Sequence, residues 1–233
     1  MSDKNKQIIK PILQTLAGQK TDHIPFWFMR QAGRYLPEYR DVRSQEENFL
    51  DLVYAPEKAS EITLQPIRRF GMDAAILFSD ILVIPDALGQ TVRFETKTGP
   101  VLGEINNFED LNLSRIDAVL SPIYETIKLV RKKLDIEGFH QTALIGFSGS
   151  PWTVATYMVE RGSSKNFQYV KSLSYQDDDL FSNIIDLVTE ATIQYLLGQI
   201  RSGAEIIQLF DSWAGVLDEM NYQRWIIEPT KRI

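Results

Sequence analysis

The sequence has no cysteine and only two histidines, His23 and His140, among its 233 residues. Without cysteine there can be no disulfide bonds, thiolate metal ligands or cysteine nucleophile. The two histidines lie far apart and lack a nearby carboxylate pattern, so we expect packing or surface roles for them and no metal site. Residues 1–22 contain no continuous apolar stretch, which predicts neither a secretory signal nor a membrane span.

The net charge and the length of the chain restrict the possible ligands and the number of domains. The net charge of −6 argues against general binding to nucleic acid or to anionic membranes. The hydrophobic and charged fractions, 44% and 24%, are ordinary for a globular protein. A chain of 233 residues suits one domain, and about 250 residues are typical of a complete eight-unit βα barrel. We therefore expect a single cytoplasmic domain spanning residues 1–233.

An arginine-rich segment, PFWFMRQAGRYLPEYR, occupies residues 25–40. The apolar run from Ile24 to Met29 predicts a strand that leads into this cluster. The cluster contains Arg30, Arg34 and Arg40, together with Gln31, Tyr35 and Tyr39. Several guanidinium groups suit a small ligand with several carboxylates or phosphates, because each can bind one anion through two hydrogen bonds. The alternative is that Glu38 and Asp41 neutralise the cluster on a solvated face.

Short apolar runs alternate with longer segments of helical spacing. Strands are predicted over Ala74 to Phe78, Ala143 to Phe147 and Glu205 to Phe210. Helices are predicted over Ala55 to Gly71 with a kink or break at Pro66, from Ser121 as cap and Pro122 as first residue to Asp135, and over Asp179 to Ala204. Together with the first strand, this order predicts a parallel α/β fold of four βα units.

The stretch from Gln90 to Leu120 interrupts this alternation. Within it, TVRFETKTGPVL alternates polar and apolar residues around Thr98, Gly99 and Pro100. This pattern predicts a small hairpin inserted after the second strand.

Polar side chains follow the end of each predicted strand. Arg30 and Arg34 follow the first strand, Ser79 and Asp80 the second, Gly146 and Ser148 the third, and Asp211 and Ser212 the fourth. Because the carboxyl ends of parallel strands form the ligand face of α/β folds, we expect these groups to converge on one cavity. The alternatives are that the aspartates cap the following helices and that the serines are turn residues.

Two long segments resemble the signature segments of the uroporphyrinogen decarboxylase family. They are PFWFMRQAGRYLPEYR and GFSGSPWTVATYMVERG, and FSDILVIPDALG and QLFDSWAG match in the same order and spacing. The resemblance extends from the first helix to the closing EPTKRI. It implies a TIM (β/α)8-barrel, a homodimer and a cofactor-free lyase. The implied reaction removes the four acetate carboxylates of uroporphyrinogen III, a tetrapyrrole of haem biosynthesis, and gives coproporphyrinogen III.

The resemblance also implies roles for individual residues. Asp80 matches the essential aspartate, whose carboxylate accepts hydrogen bonds from the pyrrole N–H groups. Arg30 and Arg34 match arginines that contact substrate carboxylates, and Arg30 is also a proposed proton donor in the family. Gln31 neighbours them in the motif. The remaining matches to substrate-contacting residues are Tyr157 and Ser212, for which packing and helix capping are the structural alternatives.

The chain departs from the family in the number of βα units. Only about four units are visible in the sequence, and we expect an incomplete barrel, truncated at its carboxyl end and lacking a late histidine of the family. Neither His23 nor His140 lies in the matching motif. The alternatives are therefore an inactive fragment that binds anionic tetrapyrroles and, ranked last because those enzymes use thiolate or histidine zinc ligands, a corrinoid-dependent methyltransferase of related fold.

Overall fold

We describe the fold from a computed structural model, which covers residues 10–95 and 98–233. The strands within these residues are β1 (Ala74–Ile76), β2 (Val92–Glu95), β3 (Gly99–Leu102), β4 (Ala143–Gly149) and β5 (Ile206–Phe210). The helices are α1 (Pro11–Leu16), α2 (Pro37–Arg43), α3 (Phe49–Val53), α4 (Pro56–Phe70), α5 (Val83–Leu88), α6 (Ile116–Ile136), α7 (Pro151–Glu160), α8 (Gln168–Gln176), α9 (Asp178–Ser202), α10 (Glu219–Tyr222) and α11 (Glu228–Arg232). The order of elements confirms the α/β class.

The central sheet is parallel, with the strand order β1-β4-β5. Its register pairs Ala74 with Ala143 and Ile145 with Ile206. Every residue of β4 is buried, as expected for a parallel strand that is covered on both faces. The sheet confirms the strands predicted over Ala74 to Phe78, Ala143 to Phe147 and Glu205 to Phe210, although the first is shorter than predicted.

The strand predicted over Ile24 to Met29 is wrong. The segment passes beside the residue before β1, where the Phe26 carbonyl accepts a hydrogen bond from the Asp73 N–H at 3.1 Å. The Phe26 N–H donates to the Asp73 carboxylate at 2.9 Å, where a strand ladder would use a backbone carbonyl. The pairing therefore does not continue, and the segment's side chains stay largely exposed, with Ile24 at 90%. An apolar run becomes a strand only where a neighbouring backbone can pair with it.

A side chain from α9 continues the pairing of β4 past the end of β1. Gln199 is buried, and its Oε1 accepts a hydrogen bond from the Phe147 N–H at 2.9 Å while its Nε2 donates to the Phe147 carbonyl at 2.8 Å. The pairing of β1 with β4 ends two residues before Phe147, at Ile145. Gly146 leaves room for the amide, because a Cβ at that position would collide with the Gln199 Oε1.

The predicted hairpin is confirmed. Strands β2 and β3 are antiparallel, with Val92 opposite Leu102 and Glu95 opposite Gly99. Residues 96–97 of the predicted turn lie outside the described residues. The hairpin is attached to α7 by Gln90, whose Nε2 donates hydrogen bonds to the carbonyls of Gly103 and Met158.

The predicted start of α6 at Ser121 and Pro122 is wrong. The helix begins at Ile116, so Ser121 lies inside it and donates its hydroxyl proton to the Ala118 carbonyl at 2.9 Å. The apolar stripe begins earlier than predicted, because Ile116 and Leu120 are fully buried at helical spacing before the predicted members. The predicted stripe of Ile123, Ile127, Val130 and Leu134 is confirmed as buried.

The other two predicted helices are confirmed with small changes of boundary. Helix α4 continues through Pro66, so the predicted break does not occur. It packs against α6 and β1, and this packing holds a helix that proline alone would destabilise. Helix α9 ends at Gly203, which takes a left-handed φ of 115°. Among the described helices, none has the length and apolarity needed to cross a membrane.

Candidate active site

The carboxyl ends of β1, β4 and β5 meet at one edge of the parallel sheet. The chain leaves β1 into the turn that carries Asp80, and it leaves β4 into α7. It leaves β5 at Asp211, where the Ser150 N–H before α7 donates to the Phe210 carbonyl at 2.9 Å. The turns after β4 and β5 are therefore in direct contact. This is the edge at which the sequence predicted convergence.

Asp80 lies partly buried in the turn between β1 and α5. Its Oδ1 accepts a hydrogen bond from the Leu82 N–H at 2.8 Å, which supports the turn into α5. Burial raises the pKa of Asp80 to about 6, although the Leu82 N–H and the positive charge of Arg30 both oppose this rise. With a pKa near 6, roughly nine tenths of the carboxyl groups are ionised at pH 7. Asp80 is therefore an anion that is close to its titration range.

Arg30 lies in the turn after the extended segment, and its side chain is exposed. Its positive charge lowers the pKa of Asp80, and it also lowers the pKa of Tyr157, so the guanidinium acts on both groups. Within residues 10–95 and 98–233, Arg30 forms no ion pair or hydrogen bond through its guanidinium. The structure thus brings Arg30, Asp80 and Tyr157 into one electrostatic neighbourhood and leaves the cation free for an anionic ligand.

Arg34 is exposed and lies beside Tyr39, whose pKa it lowers against the raising effect of burial. The Arg34 carbonyl accepts a hydrogen bond from the Arg40 guanidinium at 2.7 Å, so the two residues fix one turn. No contact of Arg34 with Asp80 is seen among the described residues. The guanidinium of Arg34 is free of ion pairs in the part of the chain described here.

The alternative in which Glu38 and Asp41 neutralise the cluster does not hold for Arg30 and Arg34, although the charge of Arg40 acts on Glu38. Glu38 pairs instead with Arg69 at 3.0 Å. The carbonyl of Asp41 accepts the hydroxyl proton of Ser44, and its carboxylate makes no ion pair within the described residues. Since the nearest acidic residues of the motif do not pair with Arg30 or Arg34, the positive charge stays available at this edge of the sheet.

Gln31 is buried, in contrast to its neighbours. Its Oε1 accepts a hydrogen bond from the Phe28 N–H at 3.0 Å, and its backbone carbonyl accepts one from the Tyr35 hydroxyl. Gln31 therefore stabilises the turn that carries Arg30. Its Nε2 remains a buried donor without a partner among the described residues.

Tyr157 lies on α7, and its ring packs against the indole of Trp213 with a centroid distance of 4.2 Å and an angle of 33°. Burial raises the pKa of the Tyr157 phenol, a hydrogen bond with the Ser163 hydroxyl opposes this rise, and the negative charge of Asp80 adds to it. Packing and proximity to Asp80 occur together, so the predicted substrate role and its structural alternative are both compatible with this position.

Ser212 is exposed directly after β5 and makes no side-chain hydrogen bond among the described residues. Ser148, by contrast, is buried and donates to the Gly149 carbonyl, as expected for a structural residue.

The helix-capping alternative for Asp211 is wrong, because its Oδ1 accepts a hydrogen bond from the hydroxyl of Thr153, a side chain inside α7, at 2.6 Å.

The histidines stay outside this neighbourhood. His23 contacts the Asp73 carboxylate at 2.8 Å, and His140 lies 3.8 Å from Asp135. Both pairs lie near the amino ends of the strands. Within the described residues, no cluster of three or more histidine, cysteine, aspartate or glutamate side chains has the arrangement of a metal site.

Nothing in the sequence pattern marks Tyr195 as a neighbour of Asp80. Tyr195 is buried in α9, and its hydroxyl lies 3.4 Å from the Ser79 hydroxyl. Burial raises its pKa, and the negative charge of Asp80 adds to this effect. Its position on the apolar face of a long helix is indistinguishable from a core residue in the sequence. Thr153 lies in the α7 motif, and its contact with Asp211 is not predicted by the sequence either.

Two surface clefts lie away from this edge of the sheet. One, of about 480 Å³, lies at the amino ends of the strands and is lined by residues such as Asp73, His140 and Thr142. The other, of about 580 Å³, lies at α10 and is lined by Asp218, Glu219, Met220 and Gln223. Neither of these clefts is lined by Asp80 or Arg30.

Comparison with known proteins gives consistent matches along the chain. The family model described as Uroporphyrinogen decarboxylase (URO-D) matches residues 8–233. The uroporphyrinogen decarboxylase of Rhodospirillum rubrum is 50% identical over 227 residues, which cover 96% of this chain and 64% of that protein. The uroporphyrinogen decarboxylase of Maricaulis maris is 51% identical over 235 aligned residues, covering 100% of this chain and 66% of that protein.

A solved structure shares the fold at lower sequence identity. A methyltransferase from Methanosarcina mazei superposes with a TM-score of 0.72 at 22% identity, covering 95% of this chain and 64% of that one. Together with the family match, this similarity indicates a TIM-barrel-like α/β fold. The chain spans just under two thirds of the length of the curated relatives it matches. Identity of about one half over nearly all of its residues shows that the chain belongs to the uroporphyrinogen decarboxylase family.

Proposed function

We propose that this chain decarboxylates uroporphyrinogen III, removing the four acetate carboxylates as carbon dioxide to give coproporphyrinogen III. The observation that carries the proposal is the grouping of an ionisable Asp80 with Arg30 and Tyr157 at the carboxyl ends of the strands. Family membership supplies the substrate class, because the relatives are named for this reaction. A carboxylate with the guanidinium of Arg30 close to it suits a macrocycle that is cationic in its reacting ring and anionic at its rim.

The chemistry requires no cofactor in this proposal. Protonation of a pyrrole carbon makes the ring a cationic electron sink, which accepts the electron pair of the breaking bond to the departing carbon dioxide. The exocyclic carbon then takes up a proton and becomes a methyl group, and the ring carbon releases the proton it first accepted, which restores the pyrrole. The ionised Asp80 accepts hydrogen bonds from pyrrole N–H groups, since a carboxylate has lone pairs for about four donors, and offsets the positive charge of the ring.

The surrounding side chains position the acidic arms of the substrate. Arg30 and Arg34 bind its carboxylates, and Arg30 serves more simply as a clamp than as a proton donor because a guanidinium is a very weak acid. Tyr157 and Ser212 orient the arms. Gln31 holds the turn that carries Arg30, because its Oε1 accepts a hydrogen bond from the Phe28 N–H.

We propose that residues 1–233 form a single cytoplasmic domain that corresponds to about four βα units of an eight-unit barrel. The parallel strands β1, β4 and β5 and the extended segment beside β1 support this assignment. The family homodimer is the proposed oligomeric state. Light scattering on the purified chain distinguishes a dimer from a monomer, and a concentration-independent monomer would contradict this part of the proposal.

Anaerobic incubation with uroporphyrinogen III, followed by chromatography of the oxidised products, tests the activity. We expect products with fewer carboxylates in the wild-type chain and a loss of turnover of about 10³-fold in Asp80→Asn, because the neutral amide cannot offset the ring charge. Asp110→Asn, at an exposed aspartate of the loop before α6, is the matched control. Tight tetrapyrrole binding without carbon dioxide release would contradict catalysis and favour the binding-only alternative.

A further inference from the structure

The turn after β5 is fastened to α7 through one buried hydroxyl group. Thr153 Oγ1 donates a hydrogen bond to Asp211 Oδ1 at 2.6 Å and accepts one from the Trp213 N–H at 3.3 Å. A threonine hydroxyl has a single proton to donate. Because Asp211 takes that proton, the lone pairs of the Thr153 oxygen are directed to Trp213. Asp211 thereby sets the direction of the second hydrogen bond.

Trp213 is held on its other sides as well. Its carbonyl accepts a hydrogen bond from the indole N–H of the fully buried Trp152 at 3.0 Å. Its ring packs 4.2 Å from the Tyr157 ring, and the Phe167 ring meets it edge-on at 5.4 Å. Since Trp152, Thr153 and Tyr157 all belong to α7, the position of the indole is coupled to that helix.

Tyr157 connects this assembly to the candidate active site. One face of its ring lies against Trp213, and its phenol is influenced by the charges of Asp80 and Arg30. An aromatic pair at this separation adds orientation as well as buried area. A shift of Trp213 therefore changes where the phenol lies relative to the two charged groups.

The hydrogen bond from Thr153 satisfies one oxygen atom of the Asp211 carboxylate, Oδ1. Its Oδ2 is buried and has no partner among the described residues. Burial raises the pKa of Asp211, although the hydroxyl groups of Thr153 and Ser150 oppose the rise. The hydrogen bond from Thr153 is therefore the contact with clear geometry that holds the Asp211 carboxylate in this turn.

We propose that Asp211 and Thr153 are positioning residues that, through Trp213, hold Tyr157 in its orientation toward Asp80 and Arg30. This inference rests on the proposed function for its consequence in turnover, but the geometric coupling does not require a substrate. Asp211 and Thr153 act through Tyr157 and do not themselves touch the reacting atoms.

The test combines nuclear magnetic resonance of a chain labelled at tyrosine with steady-state kinetics. The Tyr157 ring signals are assigned by their loss in Tyr157→Phe. We expect them to shift in Thr153→Val and in Asp211→Ala, because the ring current of Trp213 changes, with kcat falling about tenfold at a nearly unchanged KM. Thr153→Ser and Asp211→Asn keep the donor and the acceptor, so they should restore wild-type signals and kcat.

Thr189→Val is the matched control, because Thr189 is also buried in a helix and, among the described residues, its hydroxyl bonds only to the Ile185 carbonyl. Unchanged Tyr157 signals in both Thr153→Val and Asp211→Ala would overturn the inference. An equal shift in Thr189→Val would also overturn it, since the effect would then be general loosening. If the wild-type chain shows no turnover, the proposed function fails, whereas the signal comparison still decides the coupling.

Discussion

Charged side chains at the two ends of the parallel sheet differ in how many partners they have within the protein. At the amino ends, Glu205 is bound by two cations and a backbone N–H, and Asp73 is bound by His23 and a backbone N–H. At the carboxyl ends, Asp80 keeps only one backbone hydrogen bond, and the guanidiniums of Arg30 and Arg34 stay free of ion pairs within the described residues. The paired carboxylates of Glu205 and Asp73 hold the sheet at its amino ends. Among the described residues, the guanidinium groups of Arg30 and Arg34 have no such structural partner.

The amino end owes its rigidity to convergence on one oxygen atom. Glu205 Oε2 accepts hydrogen bonds from Lys10 at 2.6 Å, from Arg131 at 2.5 Å and from the Leu144 N–H at 3.0 Å. These contacts tie β4 and β5 to α6 and to the residue before α1. A partly buried carboxylate with three donors stabilises the fold more than an exposed ion pair does.

The largest expected effect concerns the carboxyl end. In Arg30→Ala combined with Arg34→Ala, we expect kcat/KM for uroporphyrinogen III to fall about 10³-fold, because two charged clamps are lost. The free energy of unfolding should change by less than about 0.5 kcal/mol per substitution, since both side chains are exposed and unpaired. Steady-state kinetics and urea unfolding measure the two quantities.

Arg69→Ala is the control for these two substitutions, because its guanidinium is paired with Glu38. It should leave kcat/KM within about twofold of the wild type. A similar loss in Arg69→Ala would show that general positive charge, and not the free guanidiniums of the motif, determines the rate.

The next effect concerns the amino end. Glu205→Ala removes the common acceptor of Lys10, Arg131 and the Leu144 N–H, so we expect the free energy of unfolding to fall by about 3 kcal/mol. Glu125→Ala, at the exposed pair with Lys128, should cost less than about 0.5 kcal/mol. Equal losses in the two variants, measured by urea unfolding, would remove the distinction between the two ends of the sheet.

A smaller effect is the dependence of stability on pH that arises from Asp80. The pKa of its carboxyl is raised to about 6 in the folded chain, against roughly 3.9 when unfolded. The folded state therefore binds the proton more tightly, and stability falls as pH rises from about 4 to about 6, by about 2 kcal/mol in all. The difference in unfolding free energy between the wild type and Asp80→Asn isolates this contribution, and a difference independent of pH would contradict it.

The sequence predicted the sheet well and its edge poorly. The strands before Asp80, Ser150 and Asp211 are short apolar runs, of which the first two are buried and the third is half-buried. The run from Ile24 to Met29 has the same composition, but the carboxylate of Asp73 takes the hydrogen bond that would begin a strand. Composition reports the tendency to be buried, and pairing depends on a partner that is distant in the sequence.

The motifs of the sequence predict the residues of the candidate site, but they say nothing of the side chains that surround it. Asp80 and Arg30 belong to quoted segments, and the structure brings them together. Tyr195 approaches from α9, more than a hundred residues away in the chain, and its helical periodicity marks it only as a core residue. The Ser121–Pro122 pair misled the assignment of α6 because it has the pattern of a helix start, while buried Ile116 extends the stripe upstream.

The most direct test of the central claim is the pKa of Asp80, measured by carbon nuclear magnetic resonance of the labelled carboxyl group in the wild type and in Arg30→Gln. Arg30 lowers this pKa in the wild type, so its removal should raise the value above about 6, while Arg69→Gln should leave it unchanged. An Asp80 pKa that stays the same in Arg30→Gln would contradict the account, because the two groups would then not share one site.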